Sequence, residues 1–426
     1  MQDRRKFFRN VFGAGLGLSA AQLKSKPVSS PALVQTPDVP DLTHTLDNGV
    51  KVFHLIAEPV KRQIVPNKMI DVWGYNGTCP GPTIQITQGD RVRIVFENRL
   101  PEPTSMHWHG FEIPNAMDGG PNISQKPVNP GERFIYEFTL HQEGTYFYHS
   151  HMAMQEMMGM LGAFIMHPKT PYEPRVDKDF VLMLQEFAVL PNNTVPNTMN
   201  MEFNWLLFNG KAGPMITPLI VRLGDRVRVR FINLGMDHHP IHLHGHTFYV
   251  TGTEGGRIPN TAWIPGNTVL VGVAQARDIE FVANNPGDWM LHCHLPHHMM
   301  NQMSSNVGPM TRMGAGSDHT VLNGPLSSQH AGMPGMNMHS GISPNANQVP
   351  GFPQDAFMEG PMMNMDNMVR SPATYGLPPG WTEDMQGMMT LVRVLHPDKY
   401  DEIMNSVRRG SMPSMPGMPG MQHPMR

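Results

Sequence analysis

HCHLPHHMMNQM, residues 292–303, opens on two histidines separated by one cysteine. On a β-strand residues i and i+2 face one way and residue i+1 the other. The imidazoles of His292 and His294 therefore share a side, and the Cys293 sulfur points to the opposite one. A metal ion on Cys293 is then joined through a few covalent bonds to metal ions on the two histidines. That suits electron transfer from a single-metal site to a multi-metal one. The same spacing recurs in His107-Trp108-His109, His149-Ser150-His151 and His242-Leu243-His244. Eight imidazoles on four strands can hold three metal ions, two ligands for one and three for each of the others.

The chain also repeats itself. Residues 75–100, YNGTCPGPTIQITQGDRVRIVFENRL, resemble LFNGKAGPMITPLIVRLGDRVRVRFINL at 207–234. Gly89-Asp90-Arg91-Val92-Arg93 returns as Gly224-Asp225-Arg226-Val227-Arg228, an offset of 135 that also carries His107 onto His242 and His109 onto His244. GTYFYHSH (144–151) returns as GDWMLHCH (287–294) at an offset of 143. Short runs alternate apolar and polar residues (Thr83-Ile84-Gln85-Ile86; Arg91-Val92-Arg93-Ile94-Val95) between Gly, Pro and Asn turns, which is the signal of an antiparallel sandwich. An all-β chain with two sandwich domains is predicted, at 40–170 and 175–310, each long enough for its own core.

HWHG (107–110), HSH (149–151), HPIHLHGH (239–246) and HCHLPHHMMNQM resemble, in order, the four copper motifs of multicopper oxidases, the laccase superfamily. The resemblance implies cupredoxin-like Greek-key domains and four coppers per chain: one type 1, one type 2 and two type 3. By the family spacing His239, Cys293, His298 and Met303 hold the type 1 copper, a blue electron-transfer centre. His107, His109, His149, His151, His242, His244, His292 and His294 hold the three-copper cluster. His238 and His297 adjoin the assigned ligands and are read as rim residues. Thr104, Ser150, Gln155 and Met160 stand at the equivalent positions of the first half, a set that binds no such copper. The resemblance makes Cys293 the electron conduit and Asp118, in Met117-Asp118-Gly119-Gly120, a proton-relay carboxylate; Asp-Gly is equally a turn signal. Many relatives have an acid after the type 1 histidine, where this chain has Met299. Only about 90 residues separate His151 from His239, which leaves no room for a middle domain and implies the two-domain type. Such chains form head-to-tail homotrimers that build each cluster between neighbours, although sequence alone equally permits a cluster within one chain.

Arg4-Arg5-Lys6-Phe7-Phe8 and the weakly apolar stretch 11–21 read as a twin-arginine export signal over 1–21, hence a periplasmic or secreted protein. No other segment approaches the ~18 apolar residues of a membrane span. Cys293 is committed to metal and Cys79 is left as a lone thiol, so no disulfide framework exists. A net charge of −3 argues against a nucleic-acid partner. Of 38 methionines, 20 lie in 303–426. Residues 311–370 read as a Met/Gly/Pro-rich linker, 371–409 as short docked helices and 410–426 as a Met-Pro tail. In that tail Met412, Met415, Met418 and Met421 recur every third residue, which polyproline II would align along one edge. The tail either gathers Cu(I) through soft thioethers or is oxidisable chain without a role. Met152, Met154, Met157, Met158 and Met160 form a similar cluster, with core packing the expected fate of most. The expected function is oxidation of a small reductant, a phenol or aromatic amine, coupled to reduction of O2 to water. The alternatives are a cuprous oxidase and a copper-sequestering protein.

Overall fold

Strand Gly144–Ser150 shows why the chain folds in layers. All seven of its residues are buried because both its faces are covered. Tyr146 and Tyr148 enter one apolar cluster with Phe53, Ile94, Trp108 and Phe164. Phe147, pointing the other way, joins a second with Leu161, Val181 and Ile232. The computed structural model describes residues 33–189, 193–301 and 364–413.

In the first half one sheet runs Thr45–Asp47, Val50–Val65, Arg91–Asn98, Arg133–Thr139, with Lys68–Tyr75 paired to the long strand. The opposing sheet runs Gly81–Thr87, Leu161–His167, Gly144–Ser150, Met106–His109. In the second half a sheet containing Lys178–Phe187, Arg226–Asn233, Gln275–Val282 and Phe248–Thr253 faces another. That one runs Leu219–Arg222, Met389–Leu395, Gly287–Cys293, His239–Leu243, Thr268–Val271. These are the cupredoxin-like β-sandwiches expected. The pairing is mixed rather than wholly antiparallel: Val50–Val65 with Arg91–Asn98, Gly81–Thr87 with Leu161–His167, and Lys178–Phe187 with Arg226–Asn233 run parallel. In each case the chain visits the opposing sheet before returning beside its earlier strand.

The halves share a buried seam. On Lys178–Phe187 the residues Phe180, Leu182 and Leu184 face the second core, and Val181 and Met183 face the seam cluster. Beside it Arg230 makes a bidentate pair with Asp179 at 2.7 and 2.9 Å and donates to Thr145 at 2.6 Å, and Thr145 donates to Asp278 at 2.7 Å. Every ion in this buried set has an opposite partner, which offsets the cost of removing it from water.

The C-terminal part departs from expectation. Among the described residues it holds a 3-10 turn, Pro372–Thr374, and one α-helix, Pro397–Arg409, closed by Gly410 in the left-handed region (φ 64°). Met389–Leu395, within the stretch read as helical, is instead a strand inserted between Leu219–Arg222 and Gly287–Cys293. Burial is the reason. Val392 and Val394 face the core that contains Cys293, while Met389 and Leu391 face Met385 and Trp381. A strand buried on both faces alternates without showing it in the sequence. The second sandwich therefore reaches beyond 175–310. The segment read as an export signal, linker residues 311–363, Met303, Met415, Met418 and Met421 lie outside the described residues. Among the described residues no helix is long and apolar enough to cross a membrane.

Val392 is fully buried in the middle of the sheet that carries Cys293. Val392→Asp should destabilise the protein by about 4 kcal/mol, the cost of an uncompensated buried charge, as read by denaturant unfolding.

Candidate metal centre

Three side chains converge in the second sandwich. His239 begins strand His239–Leu243, Cys293 ends Gly287–Cys293, and His298 lies in the single turn Pro296–Met299. The two Nδ1 atoms are 3.2 Å apart, and Cys293 Sγ lies 3.7 Å from that of His239 and 3.5 Å from that of His298. A point equidistant from the three atoms is about 2 Å from each, a metal–ligand bond length. Two imidazoles and a sulfur in one plane, all buried, fit a blue-copper centre. Burial, together with the nearby carboxylates Glu186 and Asp237, pushes the Cys293 thiol up to about 12. A cation is needed to make it a thiolate ligand near neutrality. Met303, the axial ligand read from sequence, lies outside the described residues.

The returning strand braces this site. Met388 accepts the Cys293 N–H at 3.0 Å and donates to the His298 carbonyl at 2.9 Å. Its neighbour Gly387 (φ 57°) passes so close that a Cβ would stand 2.2 Å from the His298 oxygen. Only glycine fits there.

The first sandwich has no such triangle. Thr104 and Ser150 hydroxyls are 3.2 Å apart, Ser150 donates to Gln155 at 2.7 Å, and Gln155 donates to Glu102 and Pro103, each at 2.9 Å. Hydrogen bonds running from Thr104 and Ser150 through Gln155 to Glu102 fill the space where the second sandwich has His239, Cys293 and His298.

On the far side of Cys293 the imidazoles gather as two separate fours. His107, His109, His149 and His151 make ring contacts with one another, and so do His242, His244, His292 and His294. His109 Nδ1 lies 3.4 Å from His149 Nε2, and His244 Nε2 lies 3.0 Å from His292 Nε2, pairs of nitrogens poised for one ion. His107 turns Nδ1 to the Asp118 carbonyl at 2.8 Å, and His242 turns Nδ1 to the Asn267 carbonyl at 2.7 Å. Those contacts fix the tautomer and leave each Nε2 free as a ligand. Asp118 thus holds His107 by its backbone, with its carboxylate 3.4 Å from the same nitrogen. Each four has one exposed member, His151 in the first and His294 in the second.

Three carboxylates escaped the sequence reading. Glu186 Oε2 sits 3.2 Å from His239 Nε2, a charge contact rather than an aligned hydrogen bond. Its other oxygen accepts the Asp237 N–H at 2.7 Å and that of Met236. Asp237 Oδ2 lies 3.4 Å from His298 Nε2, and its bond to His298 holds it below the usual carboxylate range. Glu156 Oε1 lies 2.8 Å from His149 Nδ1. Asp237 could have been found two residues before His239, and Glu156 by the 143-residue offset; Glu186, on a distant strand, left no signal.

Residues 58–171 and 188–309, together more than half of the chain, match two family models, both described as multicopper oxidase. The Multicopper oxidase MmcO of Mycobacterium tuberculosis is 28% identical over 321 residues, 66% of this chain and 62% of that protein. Copper resistance protein A of Pseudomonas syringae pv. tomato is 40% identical over 137 residues, 32% of this chain and 22% of that one. The chain thus spans less than two thirds of these relatives' length. Among solved structures, the Blue Copper Oxidase from Nitrosomonas europaea superimposes with a TM-score of 0.55 at 32% identity, covering 59% of this chain and 81% of that one.

Burial, then the neighbouring His149 and His107, push His109 down to about 4 from its ordinary 6.5, and burial lowers His107, His244 and His292 in the same direction. Above 6.5 these groups are neutral folded or unfolded. Below it the unfolded chain takes up protons that the fold refuses, in the case of His109 until about pH 4. Copper-free protein should therefore lose melting temperature steadily from pH 6.5 towards 4. In His109→Gln the loss should be shallower in thermal melts over the same range.

Proposed function

Because this chain belongs to the multicopper oxidase family, in its two-domain form, we propose that it takes single electrons from phenols or aromatic amines and delivers them to O2. Copper, when bound, supplies the redox chemistry, accepting one electron at a time at the mononuclear site and reducing O2 to two waters at the cluster. The observation that carries the reading is Cys293: its sulfur faces His239 and His298, while its sequence neighbours His292 and His294 face His242. His239, Cys293 and His298, with Met303 as the axial ligand, would hold the type 1 copper. His107 and His242 would hold the single copper of the cluster, and His109, His149, His151, His244, His292 and His294 the pair, four coppers per chain. Asp118, beside His107, is the proposed proton relay.

The surroundings of the two mononuclear-site histidines differ, and the difference selects the electron entrance. Both rings are buried, His239 behind Glu186, but the Nε2 of His298 faces Asp237, whose side chain is 41% exposed. A phenol O–H or aromatic N–H can donate to Asp237 and lie against His298. Cu(I) oxidation is the second reading. It is supported by Met236, a thioether 44% exposed next to Asp237, and by the relatives named copper resistance protein A.

The two open fours of imidazoles favour assembly. A neighbouring copy would bring its second-sandwich four against the first-sandwich four of this chain, and head-to-tail repetition closes a trimer. Arg4-Arg5-Lys6-Phe7-Phe8 supports export to the periplasm or medium.

Fully loaded protein should hold four coppers per chain by metal analysis. Cys293→Ser should retain three, lose the blue absorption and stop turnover; three or fewer in the wild type would sink the ligand assignment. Asp237→Asn should raise the KM for phenols about tenfold, as loss of a charge-assisted hydrogen bond does. Met236→Leu should raise the KM for Cu(I) and leave phenol kinetics unchanged, in O2-uptake assays. Unchanged Cu(I) kinetics in that variant would remove the second reading.

A further inference from the structure

The offset of 143 residues that carries His149 onto His292 carries Ser150 onto Cys293, Gln155 onto His298 and Glu156 onto Met299. The last pair behaves differently in the two halves. In the second sandwich Met299 packs into an apolar cluster with Met385, Met389 and Trp381. His292 Nδ1 there faces the Cys293 carbonyl at 2.8 Å and, among the described residues, no carboxylate. In the first sandwich His149 Nδ1 makes the matching hydrogen bond, to the Ser150 carbonyl at 2.9 Å, and Glu156 Oε1 stands 2.8 Å from the same nitrogen as a charge contact beside that bond.

Glu156 is held in place by side chains the mechanism does not otherwise use. It lies on the short helix Ala153–Met157, whose only buried residue is Gln155. Gln155 is fastened by Ser150, Glu102 and Pro103, and Ser150 also accepts the Met152 N–H at 3.1 Å. The hydrogen bonds that occupy the first sandwich's counterpart of the mononuclear site therefore fix the helix that carries Glu156.

We propose that Glu156 is a positioning residue for the coupled copper pair, making its two halves unequal. Resting on the four-copper reading, it acts through His149. The Ser150 carbonyl on Nδ1–H fixes the ring with Nε2 towards the metal, and the negative charge of Glu156 beside it makes the imidazole a stronger donor. The copper held by His109 and His149 is thereby bound more tightly than the one held by His244 and His292, which lacks this support. The space left by a missing mononuclear copper in the first sandwich becomes a bracket for the cluster.

The test is stepwise removal of copper from the loaded protein by a chelator. The near-ultraviolet band of the coupled pair and the visible blue band are followed separately, beside metal analysis. Glu156→Gln keeps an acceptor oxygen and removes the charge. It should lose the pair's band at about tenfold lower chelator, the usual cost of removing such a partner, with the blue band unmoved. Glu156→Asp should fall between the two. The same titration counts the wild type's coppers first, so a shortfall there tells against the four-copper reading. A wild-type chelator profile in Glu156→Gln tells against Glu156 alone. A lower melting temperature of that variant without copper would make Glu156 a structural residue and overturn the proposal.

Discussion

The two-residue period of strand Gly287–Cys293 is the constraint on which the rest depends. Because successive side chains leave a strand on opposite sides, one backbone places a sulfur among buried imidazoles and a histidine in a separate cluster. No loop could hold that relation as rigidly. The strand is held by His239–Leu243 on one side and Met389–Leu395 on the other. The first supplies ligands to both sites, and the second fastens the backbone of Cys293 and His298. The proposed oxidase chemistry therefore rests on ordinary sheet pairing, and the precision of the candidate ligands follows from the precision of the ladder.

The two halves show how one sandwich serves different ends. Their strands correspond, and so do their histidine pairs, yet hydroxyls and an amide in the first take the place of imidazoles and a thiol in the second. Hydroxyls and an amide bonded to one another and to the Glu102 carboxylate are satisfied without a metal ion. The seam between the halves is polar as well as apolar, and bidentate arginine pairs give it an orientation that apolar contact alone would leave loose.

Much of this was legible in the sequence because metal ligation is local in spacing. His-x-His pairs, the 135- and 143-residue offsets and the Gly-Asp turns announce strands, repeats and ligands within a few residues of one another. What stayed hidden is what packing decides. Met389–Leu395 read as helical because its two buried faces erase the alternation by which strands are recognised. Glu186 reaches His239 across more than fifty residues of sequence, and no spacing rule joins them. Asp237 and Glu156 stood close to motifs, but their importance lies in which ring nitrogen each one meets.

The burial of sulfur has a consequence for the life of the chain before metal arrives. Both cysteines are buried, and burial pushes Cys79 up to about 11 and Cys293 up to about 12. Oxidants attack thiolates, not thiols. Without metal, both thiols are therefore held in their less reactive protonated form at neutral pH. Copper binding at the proposed mononuclear site would expel the Cys293 proton, so loading would release at least one proton per chain.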